Sequence, residues 1–181
     1  TADAQRDLHY GFVVALLNDL FGIQARGGCS CAGPYGHELL SMSMENSRAL
    51  EREIRSGHMV LRPGWVRLNF NYFIDEATFD YLVKAVDLVA REGWRNSLAE
   101  IDFGAALPST QSVTSSQLAE YFDAAERELS AARTRRLAAR NPSNLPASAE
   151  ALRWFVLPHE LDPTAESSAS CLGPADEKGA A

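Results

Sequence analysis

Lysine is almost missing from this chain. Its 17 basic residues include only two lysines, Lys84 and Lys178, so chemistry that needs an amine side chain has two places to find one. Cysteine is scarce too: Cys29, Cys31 and Cys171 make an odd count of 3 in 181 residues. Three thiols are no disulfide framework, and a reducing compartment, taken here as the cytoplasm, is the simpler expectation. Positive charge is short overall, 17 basic against 24 acidic residues for a net −7, which argues against nucleic acid as a partner. No apolar run approaches the ~20 residues of a membrane span. Residues 1–7 are polar and carry two aspartates and an arginine, unlike a signal peptide. The chain opens on Thr1, as a processed chain or a fragment would.

What remains is 46% hydrophobic and 23% charged, which suits one modest domain with extras. The densest chemistry lies in residues 26–37. There Arg26, Cys29, Ser30, Cys31 and His37 are separated by four glycines and Pro34. Glycine loses backbone entropy in element interiors, so this stretch reads as a tight loop able to approach something small. A thiolate is the reactive form of cysteine and nearby positive charge favours it. Cys31 or Cys29 is therefore a candidate nucleophile, with Arg26 as the source of charge. An inert thiol, a zinc or thiol-redox role for Cys29, Cys31 and His37, and a nucleophile all fit the residues alone. The spacing misses Cys-x2-Cys, so no metal is expected.

Around the loop, hydrophobic periodicity predicts the elements. Phe12, Val13, Leu16, Leu17, Leu20 and Phe21 mark a helix over 9–21 ended by Gly22. Pro34 starts a short helix running to residue 40, and 47–55 is a further helix with a solvated charged face. A Pro63-Gly64 turn leads into alternation over 65–72, with Val66, Leu68, Phe70 and Tyr72 on one face and Arg67, Asn69 and Asn71 on the other. Asp75 caps a helix over 75–92 with a stripe of Phe79, Leu82, Val83, Val86, Val89 and Ala90, stopped by Gly93. A weak strand is expected over 98–103. Thr114-Ser115-Ser116-Gln117 forms a capping box for a helix over 117–139. Beyond Asn141 the composition predicts disorder, broken by residues 152–157, which read as an edge strand or a single anchor. The expected divisions are 1–95, 96–140 and 141–181, with an α/β fold in which a few-stranded sheet packs on the helices over 9–21 and 75–92.

Two of these segments carry a resemblance. Arg26, a glycine-containing link and Cys31-Ala32-Gly33-Pro34, followed by the strand Val66-Arg67-Leu68-Asn69-Phe70 and the capped helix at Asp75-Glu76, resemble the C-terminal small domain of class V aminotransferase-like enzymes. These depend on pyridoxal phosphate and include cysteine desulfurases and selenocysteine lyases. The resemblance covers roughly residues 9–95. It implies a fold-type-I small domain, Cys31 as the sulfur-accepting cysteine, Arg67 gripping the substrate α-carboxylate and Arg26 adding charge nearby. Cys29 stands where those enzymes often have histidine.

The resemblance also implies an amino-acid substrate, pyridoxal 5'-phosphate as cofactor, and a homodimer in the complete enzyme. Such enzymes hold the cofactor through a lysine, in a large domain ahead of the matched region. Neither Lys84 nor Lys178 lies in a matching motif, and no cofactor-binding residue is assigned here. The chain is thus expected to be inactive alone and to need a large domain or a partner chain. A binding or assembly module derived from the same domain is the other class of function that fits the missing lysine.

Overall fold

The computed structural model describes residues 6–29, 33–96, 114–132, 145–157 and 160. Helix α1 spans Tyr10–Phe21. His9 caps it: its Nδ1 accepts from the Gly11 amide at 3.1 Å, while Nε2 lies 3.2 Å from the Val60 carbonyl oxygen. Gly22 ends it in the left-handed region at φ 65°, and the Ile23 amide reaches back to the Leu17 carbonyl, closing the Schellman geometry expected of a C′ glycine.

Strand β1 (Arg26–Gly28) follows, then α2 (Gly33–Leu39) and α3 (Met44–Arg55). Ser43 caps α3, accepting from the Asn46 amide, so this helix starts three residues before the charge pattern predicts. A 3₁₀ turn over Met59–Leu61 leads to β2 (Trp65–Arg67), which pairs antiparallel with β1. Helix α4 (Glu76–Asn96) follows, capped as expected by Asp75, whose Oδ1 accepts from the Thr78 amide at 2.8 Å. In α5 (Ser115–Ala132) the capping box is realised in both directions between Thr114 and Gln117. Helix α6 (Ala147–Glu150) comes last.

The fold is mixed α/β and mostly helical, with one two-stranded sheet among the described residues. Its main core joins Leu16, Leu17 and Phe21 of α1, Tyr81, Ala85, Leu88 and Val89 of α4, and Ala125 and Leu129 of α5. The helix beyond the expected boundary at residue 95 therefore shares one core with the helices before it.

Four expectations are corrected. First, Arg26–Gly28 is a strand, although two of its three residues are glycine. The reason is α1: a Cβ on Gly27 would come within 2.9 Å of Tyr10 Cδ2 and Val14 Cγ2, a close approach only glycine allows. Second, the strand predicted over 65–72 stops at Arg67. With β1 only three residues long, the alternating residues beyond have no ladder to join, and Phe70 and Tyr72 are exposed.

Third, α4 runs through Gly93 and buries a stripe that shares only Val89 and, partly, Leu82 with the expected one. Gly93 is a packing residue, since a Cβ there would meet Leu16 Cδ1 at 3.0 Å. Tyr81, Ala85, Leu88 and Val89 face the core, while Phe79, Val83 and Val86 are exposed. Fourth, the docked segment is longer than the edge strand or anchor expected over 152–157: packing begins at Leu145. Ala149 and Phe155 join Leu50 and Leu61 in a second cluster, and Phe155 forms a parallel bridge with Asp7. The weak strand over 98–103, the helix portion beyond Ala132, Cys31, Cys171 and Lys178 lie outside the described residues.

Candidate functional site

The sheet is small, but its register carries chemistry. Arg26 stands directly opposite Arg67, Gly27 opposite Val66 and Gly28 opposite Trp65. Side chains of directly paired residues share a face. Gly27 lies against α1, and Val66 packs on the main core, so the arginines occupy the outer face, where both are exposed. Among the described residues neither guanidinium has an ion-pair or hydrogen-bond partner. Two like charges set opposite each other in a ladder are unfavourable. An anion between them would relieve that repulsion, and planar guanidinium groups suit a carboxylate.

Cys29 follows β1 immediately and is exposed. It also lines an open cavity of about 600 Å³ bordered by α2, α3 and the segment from the 3₁₀ turn to β2. Trp65, two residues before Arg67, forms part of the same wall and stands edge-on to Tyr35 at 6.0 Å between ring centroids. The strand pair thus has its arginines at one end and the cavity wall at the other.

Inside the cavity lies a contact the sequence did not signal. Ser47 Oγ sits 3.0 Å from His37 Nε2 across a partly buried hydrogen bond. His37 drew notice only as a possible metal ligand, and Ser47 only as a helix residue. Their spacing of ten residues fits neither one helix face nor one strand, so only the packing of α2 on α3 brings them together. Among the described residues nothing holds the other ring nitrogen of His37, so the pair lacks the orienting third group of a nucleophile–base triad.

Compared with family models, curated proteins and solved structures, this chain matches none. Its chemistry is therefore read from its own residues. Among the described residues, no group of three His, Cys, Asp or Glu side chains could hold a metal ion. No described helix is long and apolar enough to cross a membrane. Lys84 lines a separate cleft between α4 and α5, beside Asp80 and Asp123. That cleft shares no residue with the cavity or with the arginine-bearing strands.

Proposed function

We propose that this chain supplies the substrate-carboxylate grip of a class V aminotransferase-like enzyme that acts on an amino acid, with C–S cleavage of the desulfurase or lyase type as the reaction. The register that sets Arg26 opposite Arg67 is the observation that carries this reading. Two guanidiniums on one exposed face can take the two oxygens of an α-carboxylate in parallel hydrogen bonds. The β1–α2 connection leaves the opposite end of the strand pair, beyond Gly28. Cys31 lies outside the described residues, and its role as sulfur acceptor rests on the resemblance alone. On that reading its thiol would meet the substrate sulfur while the arginines hold the carboxylate.

The residues present do not fit covalent attachment of pyridoxal phosphate. Lys84 sits in the α4–α5 cleft, away from the sheet face, and Lys178 is outside the described residues. The reading therefore assigns this chain the positioning of substrate and leaves cofactor attachment to a large domain or partner chain. On this account, free pyridoxal phosphate followed by borohydride reduction leaves no selective pyridoxyl adduct on Lys84, as peptide mass spectrometry would show.

The direct test uses the chain itself. L-Cysteine and L-alanine should shift the Arg26 and Arg67 NMR signals, and cysteamine, which lacks the carboxylate, should not. Equal shifts with cysteamine, or none with either amino acid, would sink the reading. In the enzyme completed by its cofactor-holding part, Cys31→Ser should abolish sulfide release from free cysteine and Cys29→Ser should not. The opposite ranking would move the sulfur acceptor to Cys29.

A second reading rests on the exposed apolar side chains Phe70, Tyr72, Phe73, Phe79, Val83 and Val86. Phe70 and Phe79 already touch, at 5.4 Å between ring centroids. Exposed apolar side chains gathered on neighbouring segments are the kind of surface an interaction site uses, as a non-catalytic assembly module would need. That reading predicts partner binding that survives Arg67→Ala and is lost on Phe79→Glu.

A further inference from the structure

We infer that the cavity between α2, α3 and the 3₁₀ turn is a binding site for a small amphipathic monoanion, an apolar chain or ring ending in one carboxylate. The site is separate from the arginine pair on the sheet and stands whether or not that pair grips an amino acid.

Size and lining set the body of the ligand. A volume of about 600 Å³ falls in the range of small-molecule sites. Leu40, Met42, Leu50, Ile54, Met59 and Trp65 supply most of the wall. Met59, on this wall, is more than half exposed, so apolar surface stands open to water where a ligand could cover it. The Ser47–His37 pair is the polar feature on this wall. It can offer a hydroxyl or ring hydrogen to an oxygen, which orients a ligand without demanding a charge of either sign.

Charge sets the head group. Glu51, Arg55 and Arg62 are the charged residues lining the cavity. Arg55 Nη2 lies 2.7 Å from Glu51 Oε1, so those two charges cancel. The Arg62 side chain has no ion-pair partner among the described residues. One uncompensated positive charge on a mostly apolar wall is complementary to an apolar body with a single negative end. A cation would meet repulsion, and a neutral chain would gain only the burial.

The experiment titrates the full chain with octanoate, octan-1-ol and octylammonium, following the three tryptophan indole N–H signals by NMR. The Trp94 and Trp154 indoles donate to the Arg91 and Leu61 carbonyls, whereas Trp65 lines the cavity. The expected result is a shift at Trp65 with octanoate tightest. Arg62→Gln, a change at an exposed position, should weaken octanoate by about fivefold and leave octanol unchanged. Ile54→Trp should fill the cavity and abolish binding of both, with unaltered α1 signals showing that the fold is kept. Equal affinity for all three probes, or indifference of octanoate to Arg62→Gln, would overturn the anionic head group. Absence of any Trp65 shift, or a sedimentation change showing that a second copy of the chain covers this face, would overturn the site. Arg26→Gln and Arg67→Gln should leave octanoate binding unaltered, which keeps this outcome distinct from that of the amino-acid titration.

Discussion

A pair of arginines set opposite one another across a ladder is a local cost that nothing else among the described residues offsets. That makes a separable prediction. Replacing either Arg26 or Arg67 by Gln removes the repulsion and should raise stability slightly, by about 0.5 kcal/mol, in urea denaturation. The same change should abolish amino-acid binding. A residue kept for structure would lose stability when removed, so a loss in both measurements would count against the carboxylate grip. His9 gives a second residue-scale test. Its Nδ1 must stay unprotonated to accept from Gly11, and its Nε2–H then donates to Val60. Burial lowers its pKa, outweighing the raising effect of the Val60 hydrogen bond. A lowered pKa means the folded state resists protonation. Stability should therefore be full above the ordinary imidazole value of about 6.5 and fall as pH drops below it. His9→Asn, which keeps a capping oxygen, should flatten the curve over that window; a variant with the same slope as the parent would place the pH dependence elsewhere.

At the scale of elements, packing decides what periodicity leaves open. Helix α4 has apolar residues on more than one side. The spacing of Phe79, Val83 and Val86 is as good a stripe as that of Tyr81, Ala85 and Leu88, and only the positions of α1 and α5 choose between them. The strand was legible from Trp65 because alternation is a property of one segment. Its end at Arg67 was not, because strand length depends on a partner, and β1 is three residues long. Glycines misled in the same way. Gly27 and Gly93 read as loop and stop signals, yet both are sites where another element comes too close for a Cβ. The arginine pair was visible as two residues in separate motifs, while the Ser47–His37 contact exists only through the packing of α2 against α3. Gly64 offers the sharpest test of this view. A Cβ there would lie 2.6 Å from Gly28 Cα and carbonyl carbon, and backbone cannot swing aside as a side chain can. Gly64→Ala should cost about 3 kcal/mol and disrupt the Arg26–Arg67 register. Gly33→Ala, with nothing within 4 Å, should change stability by less than about 0.5 kcal/mol. Similar effects for both would mean that β1 and β2 are not held as closely as described.

For the molecule as a whole, a buried cation and its carboxylate partner tie Arg6, the first described residue, to the last described segment. Arg153 is 5% exposed. It donates to the Phe155 carbonyl and to Glu150, and pairs with both oxygens of Glu160. Glu160 also accepts from the Leu157 amide at 2.8 Å and pairs with Arg6 at 3.2 Å. Composition predicts disorder for most of this tail because proline, serine and alanine dominate it; residues 152–157, with Arg153, Trp154 and Phe155, were legible as an edge strand or anchor, but the Arg153–Glu160 pair that fixes them was not. The Arg153 hydrogen bond, which outweighs the opposing effect of burial, lowers the Glu160 pKa to about 2. The sign follows: its contribution is complete above the usual carboxylate value of about 4.5 and drains away as pH falls from there toward 2. Protonation would leave Arg153 buried with a weakened partner, which favours undocking of the segment. The backbone records this directly, because the Val156 amide donates to the Asp7 carbonyl and the Asp7 amide to the Trp154 carbonyl. Glu160→Gln should therefore speed hydrogen exchange at Asp7 and Val156 by about tenfold, leaving the Leu16 and Leu17 amides at their parent rates. Unchanged protection at Asp7 and Val156 would show that the aromatic contacts of Trp154 and Phe155 hold the segment unaided.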